Sequence, residues 1–291
     1  MNLVVGATGF AGGEICRLLA AAGMPVRALV RATSAPAKKA ALQSLGAELV
    51  EGDLKDAASL RDACQGVTAV FSTASATISR QPGDSLQTVD CDGQIDLIDA
   101  ARAAGVAHFI YVSAHLTVDC PLTEAKRAVE HHLQQSGLTY TILQPAQFME
   151  IWLSPFLGFD AANARAQIFG TGQNAVSWIS LRDVAQFAVA ALDNPAARNA
   201  VIPLGGPAAL SPLAVVAIFE QLTGRSFAVQ HIPLEALQAQ AAAAIDPLEK
   251  TLAALALATA QGDAIEMQSA CRDFPVRLTA VADFARSTLK A

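Results

Sequence analysis

The chain has 291 residues, 53% of them hydrophobic and 16% charged, with a formal charge of -6. That length and composition bury a substantial core, in one large domain or two, and exclude a disordered or solvating polypeptide. The negative balance and the scatter of the 20 Lys and Arg residues exclude a general polyanion binder, so no nucleic-acid partner is expected.

Met1-Asn2 leads straight into Leu3-Val4-Val5 and a glycine loop, without the basic segment and cleavage site of a secretory leader. Short apolar runs at 2–5, 26–30, 47–50, 67–71, 108–112 and 139–143 predict strands. Between them, helical periodicity predicts helices at 12–22, 37–45, 57–64, 86–104 and 122–136. Strand–helix alternation of this kind predicts an α/β fold, a Rossmann-type doubly wound parallel sheet whose strands are buried on both faces.

After Pro145 the alternation breaks. A strand at 175–179, a helix at 181–192 and a strand at 200–203 follow, and the remainder reads as helical and rich in Ala. Asp246-Pro247-Leu248-Glu249 reads as a helix start, with a capping Asp and Pro at the first helical position, and Gly262-Asp263 as its end. The expected organisation is a nucleotide-binding domain over 1–150, with 175–203 returning to it. A smaller, mainly helical C-terminal lobe of 151–174 and 204–291 closes over the crevice. The uncharged run from Asn199 to Phe219 is cut by Pro203, Gly205, Gly206, Pro207 and Pro212, so no membrane span is expected. The cysteines Cys16, Cys64, Cys91, Cys120 and Cys271 are odd in number, far apart and without zinc-site spacing, which predicts reduced thiols in a cytoplasmic protein and no metal.

Directly after the first strand stands Gly6-Ala7-Thr8-Gly9-Phe10-Ala11-Gly12-Gly13. Gly6 permits a tight turn, Gly9 lets backbone N–H groups approach a pyrophosphate, and Gly12 lets the next helix pack close to the strand. The positive end of that helix then faces the phosphates. Gly6, Thr8, Gly9, Phe10, Ala11 and Gly12 are therefore candidate cofactor residues. The second strand ends at Arg31, where an acidic residue would bind the ribose 2′-hydroxyl of NAD(H). An Arg there suits the 2′-phosphate instead, and NADP(H) is the expected cofactor. Lys38 and Lys39 either add positive potential or are solvated surface.

These stretches belong to a longer ordered set. It continues with Gly52-Asp53-Leu54-Lys55-Asp56, Gly66-Val67 with Val70-Phe71, and Asp99-Ala100-Ala101 through Gly105-Val106 to Tyr111-Val112-Ser113-Ala114. Lys126 with Glu130 and Thr141-Ile142-Leu143-Gln144-Pro145 ending in Phe148-Met149-Glu150 complete it. Over about the first half of the chain the set resembles the NmrA-like branch of the atypical short-chain dehydrogenases/reductases. The resemblance implies that Asp53 and Leu54 lie near the adenine and Ser72, Thr73 and Ala74 near the nicotinamide-side ribose. Asp53 also reads as a plain turn residue after Gly52.

Typical short-chain dehydrogenases pair a Ser with Tyr-x-x-x-Lys. Here Ser113 and Lys126 are the candidate catalytic residues, and Leu122 stands in the place of the Tyr. Tyr111 and Tyr140 do not substitute by position. At about 100° per residue, Lys126 lies on the edge of the apolar face formed by Leu122, Val129 and Leu133. Desolvation there would lower its pKa for proton transfer; the bland alternative is a lysine snorkelling toward Glu130. His115 and Cys120 are weaker candidates in the following loop, and His131-His132 lacks a third metal ligand. Ala146, Gln147, Phe148 and Met149 read as substrate-side lining, with Trp152 and Phe156 as walls or lobe core.

By resemblance, reductases that keep the Lys without the Tyr include isoflavone-reductase-like and benzylic-ether-reductase-like enzymes, and NADPH-quinone oxidoreductases are also relatives. The expected activity is NADPH-dependent reduction of a quinone or an activated C=C of enone type in a small molecule. The alternative is a non-catalytic NADP(H)-sensing regulator or assembly factor. Monomer and homodimer both remain open.

Overall fold

A computed structural model describes residues 1–78 and 81–290. It divides into two compact units: Met1–Ala114, Leu122–Gln144 and Val184–Ile202 form the first, and His115–Pro121, Pro145–Asp183 and Pro203–Ala291 the second.

The first unit is wound in chain order from β1 (Asn2–Val5), α1 (Phe10–Ala21), β2 (Val26–Val30), α2 (Pro36–Ser44), β3 (Glu48–Glu51), α3 (Ala57–Ala63) and β4 (Ala69–Ser72). A seven-residue π-helix (Leu86–Asp92) then runs into α4 (Gly93–Ala103), followed by β5 (His108–Val112), α5 (Pro121–Gln135) and β6 (Tyr140–Pro145). These six strands pair in parallel, Asn2 beside Val26 on one side and beside Ala69 on the other. The strand order β3-β2-β1-β4-β5-β6 reverses direction between β1 and β4, which places the ligand crevice at the carboxyl ends of those two strands. The core explains the long apolar runs. Leu3, Val70, Phe109 and Ile142 from the strands pack with Leu60, Leu97, Ile98, Val129 and Leu133 from the helices.

The second unit holds β7 (Gln147–Phe148), α6 (Met149–Trp152), β8 (Phe159–Asp160), β9 (Arg165–Phe169), β10 (Val176–Ile179) and the start of α7 (Leu181–Ala190). The strand β11 (Ala200–Leu204) joins the large sheet beside β6. Then come β12 (Ala209–Leu210), α8 (Pro212–Thr223), β13 (Ala228–Ile232), α9 (Leu234–Ala243), α10 (Pro247–Gln261), α11 (Gln268–Asp273) and α12 (Val281–Thr288). Residues 175–203 do not return to the sheet as one piece: β11 does, whereas β10 sits between β7 and β12 in a sheet of its own. A further sheet, β13-β9-β8, stands in the lobe that was expected to be mainly helical, and its strand β13 falls in the part read as helical. Asp246 caps α10 as expected, accepting from the N–H groups of Leu248 and Glu249. Among the described residues no helix is long and apolar enough to cross a membrane.

The core of this unit centres on Phe159, Phe219 and Phe227, the first two rings edge-on at 4.8 Å. Gly206 is pressed against β10 so closely that a Cβ there would overlap the Trp178 carbonyl oxygen. Gly206→Ala is therefore expected to cost about 3 kcal/mol or more. Both tryptophans, Trp152 and Trp178, lie in this unit, so a fluorescence melt reads it directly. At about 2–4 °C per kcal/mol the midpoint should fall by roughly 5 °C or more. An unchanged midpoint would refute the close approach.

Candidate functional site

The glycine loop has the geometry that a phosphate-binding turn requires. Gly6 sits at φ +83°, and a Cβ there would come within 2.6 Å of Thr73 Oγ1 and 2.9 Å of Ala74 N. Gly12 faces the Gly6 carbonyl so tightly that a Cβ would collide with it. Gly9 is the N-cap of α1, with no side chain capping the helix and no acidic residue in the first turn. The amides of that turn are left to meet an anion, and the helix dipole adds to their pull. Phe10 stands 77% exposed at the head of the helix.

Arg31, at the end of β2, is half-buried and reaches Asp84 Oδ2 at 2.7 Å. Lys55 also contacts Asp84, and lies 3.3 Å from Asp53 Oδ2. Lys38 is not free surface: its ammonium donates to the Thr8 carbonyl at 2.8 Å, bringing a cation from α2 to the glycine loop. Lys39 instead donates to the Ala32 carbonyl. Asp53 holds its own turn, accepting the Lys55 amide at 2.9 Å, and Leu54 is buried in the core. Asp84 is a site neighbour that the sequence did not disclose, since nothing in its surroundings marks it from other loop acids.

The segment after β4 links this loop to the lysine. Thr73 donates its hydroxyl to the Val5 carbonyl at 3.1 Å, next to Gly6. Ser72 turns inward and donates to Gln94 Oε1 at 2.6 Å, and Gln94 in turn donates to the Ala74 carbonyl at 3.1 Å. Two residues further on, the Ala76 amide donates to Asp90 Oδ2 at 2.8 Å. The other carboxylate oxygen of Asp90 lies 3.1 Å from Lys126 Nζ, and both side chains are almost wholly buried. The Lys126 ammonium stands over the ring of Tyr111, 5.1 Å from its centroid.

This arrangement overturns the expectation of a lowered lysine pKa. Burial pulls the Lys126 value down, but Tyr111 and Asp90 outweigh it, and the net shift is upward. Lys126 is thus a persistent ammonium. Burial pushes the Tyr111 phenol up to about 12, against the opposing pull of Lys126, so Tyr111 stays neutral and, fully buried, does not replace the missing Tyr. Leu122 is buried at the position of that Tyr. The bland alternative, a Lys126 paired with Glu130, is also absent. Glu130 accepts the Ser113 hydroxyl, the Gln144 amide at 2.9 Å and the Arg127 guanidinium at 2.6 Å. Ser113 and Lys126 therefore serve separate polar clusters, Ser113 at Glu130 and Lys126 at Asp90.

In the second unit His115 Nε2 lies 3.3 Å from Asp263 Oδ1. Gln147 donates to Thr259 at 2.6 Å, while its Oε1 is buried without a hydrogen-bond partner. Cys120 is buried. Trp152 packs edge-on against Phe169 as part of the local core, whereas Phe156 is exposed. Among the described residues no group of His, Cys, Asp or Glu is arranged to hold a metal, and His132 is engaged with Asp99 instead.

The chain is 34% identical over 240 residues to the Photosystem II assembly factor Ycf39 of Trieres chinensis, covering 80% of this chain and 72% of that protein. It is 34% identical over 239 residues to the NAD(P)H azoreductase of Xenophilus azovorans, covering 81% and 78%. Among solved structures, the NADPH-dependent quinone oxidoreductase QOR2 of Escherichia coli, complexed with NADPH, shares the fold at a TM-score of 0.80. That pair is 22% identical and aligned over 99% of this chain and 100% of the other. The model of the NmrA-like family matches residues 2–284, and with the glycine loop, the sheet reversal and the buried lysine in place the chain belongs to that family.

Proposed function

We propose that the chain is an NADPH-dependent reductase acting on a quinone or an enone-type activated C=C of a small molecule. One observation carries the reading: a single short segment touches Gly6 at Thr73 and Ala74, and reaches the Asp90–Lys126 pair through Ala76. A dinucleotide seated on the glycine loop would then have a buried ammonium within the same continuous structure. Bound NADPH supplies the hydride. Lys126 donates hydrogen bonds to the nicotinamide-side ribose or to the substrate oxygen on which charge collects. In a quinone or enone that charge spreads through conjugation, so a fixed cation suffices. A simple ketone needs a proton at its oxygen in the same step, and buried Leu122 cannot give one. Ser113, its proton directed to Glu130, holds α5 in place. The azoreductase and the quinone oxidoreductase among the relatives support a reductase by their names.

Following NADPH oxidation against quinones, enones and simple ketones tests the reading. Turnover of the conjugated acceptors with poor turnover of ketones supports it, and a preference for ketones overturns it. A second reading is a non-catalytic NADP(H)-binding regulator or assembly factor, favoured by the absent Tyr and by the Ycf39 likeness. Tight NADPH binding with no acceptor turned over would select it.

Preference for NADP(H) over NAD(H) rests on Arg31, with Lys38 beside Thr8. Arg31→Asp should weaken NADPH binding about tenfold or more in a fluorescence titration, since a charge-assisted hydrogen bond contributes about 1.5–3 kcal/mol. Equal wild-type affinities for NADPH and NADH would defeat the assignment.

A further inference from the structure

The π-helix at 86–92 widens the turn that carries Asp90, and such turns cluster at functional sites. Its start is fixed by a reciprocal cap: Ser85 Oγ accepts the Thr88 amide at 3.0 Å, and Thr88 Oγ1 accepts the Ser85 amide at 3.0 Å. Its exit is fixed by Gly93, where a Cβ would come within 2.7 Å of Leu54. Between these anchors Asp90 is fully buried, with one oxygen on the Ala76 amide and the other at Lys126. A carboxylate buried this deeply is costly unless it is paired, and Lys126 is the pairing charge.

We propose that Asp90 is the positioning residue of the site: from the widened turn it grips the Lys126 ammonium and keeps it charged and aimed for a bound dinucleotide or substrate. The inference rests on the reductase reading for its use, though not for its test. The groups facing Lys126 are Asp90 from the π-helix and Tyr111 from β5, and on its own helix Arg127 and Glu130 are paired with each other. Removing the Asp90 charge leaves Tyr111 alone to oppose the effect of burial on the lysine. Its titration must then move downward.

The protein contains six lysines, so NMR of protein carrying 13C at lysine Cε resolves each, and Lys126→Met assigns the signal of Lys126. In the wild type that signal should titrate above the other lysines, as burial is outweighed there. In Asp90→Asn, which keeps an acceptor for Ala76, it should titrate at least about one pH unit lower than in the wild type. The alkaline limit of NADPH binding should move by the same amount. An unchanged Lys126 titration overturns the inference. Should Asp90→Asn fail to fold, the double variant Asp90→Asn/Lys126→Met decides. The pair leaves together there, and recovery of the fold supports the inference, whereas continued failure assigns Asp90 to backbone support and overturns it. NADPH binding without turnover of any acceptor would defeat the reductase reading and leave this result standing.

Discussion

Lys126→Met is expected to lower turnover of a quinone or enone by about 10²–10³-fold, the usual worth of a donor directed at the charge that develops at the reacting centre. Met keeps the length and the apolar stem, so packing against α5's neighbours is preserved while the charge is lost. Because the Asp90 carboxylate is then left buried without its countercharge, stability should fall as well, by about 3–5 kcal/mol. The two effects are separable. Turnover per folded molecule, with the NADPH affinity measured on the same sample, reports the chemistry. Lys126→Ala should lose at least as much, with added loss from the cavity. If both variants bind NADPH and turn over normally, the site does not work through Lys126.

The raised affinity of Lys126 for its proton narrows what it does. A group with so strong a hold on its proton is a poor acid at neutral pH and no base at all. Its value lies in fixed charge, directed at an oxygen or a hydroxyl. Ser113 points the same way, because its proton is committed to Glu130, which Gln144 and Arg127 also contact. The chemistry left to this chain's own residues is orientation and charge stabilisation. That favours acceptors which tolerate late protonation from solvent.

Much of this was legible in the chain. The runs at 2–5, 26–30 and 108–112 match their strands to the residue, because parallel strands buried on both faces leave continuous apolar signals. The glycine loop was legible because each glycine has a steric reason. Asp90 was not. Leu86 and Val89 fit ordinary helical spacing as well as a widened turn, and the partner of Asp90 lies far along the chain on another helix. The spacing of Lys126 and Glu130 left a surface pair as the bland alternative to an inward lysine, and tertiary structure ruled that pair out, since Arg127 and Ser113 claimed Glu130. In the second unit β13 escaped notice because Ala228-Val229-Gln230-His231-Ile232 is largely exposed, and its pairing with β9 leaves no alternating signal. Strands of that kind are specified by their neighbours.

Gly9→Val should loosen NADPH binding by about 100-fold or more while the fold survives. Gly9 lies at φ −83°, a value open to any residue, and a Cβ there would meet only the Gly6 carbonyl, at 3.1 Å. That contact is tight, and a shift of a few tenths of an ångström in the loop relieves it. A pyrophosphate finds no such relief, because the branched side chain stands where it must approach the free amides of α1's first turn. Losing two charge-assisted hydrogen bonds at about 1.5–3 kcal/mol each accounts for the magnitude. Gly12→Val provides the contrast. Its Cβ would collide with the Gly6 carbonyl itself, so the loop must shift and the unit must lose stability along with affinity. Calorimetric melts and NADPH titrations of both variants test the assignment together. A Gly9→Val protein with wild-type affinity would mean that the phosphates sit elsewhere. A Gly12→Val protein as stable as the wild type would mean that α1 does not pack against Gly6 as described.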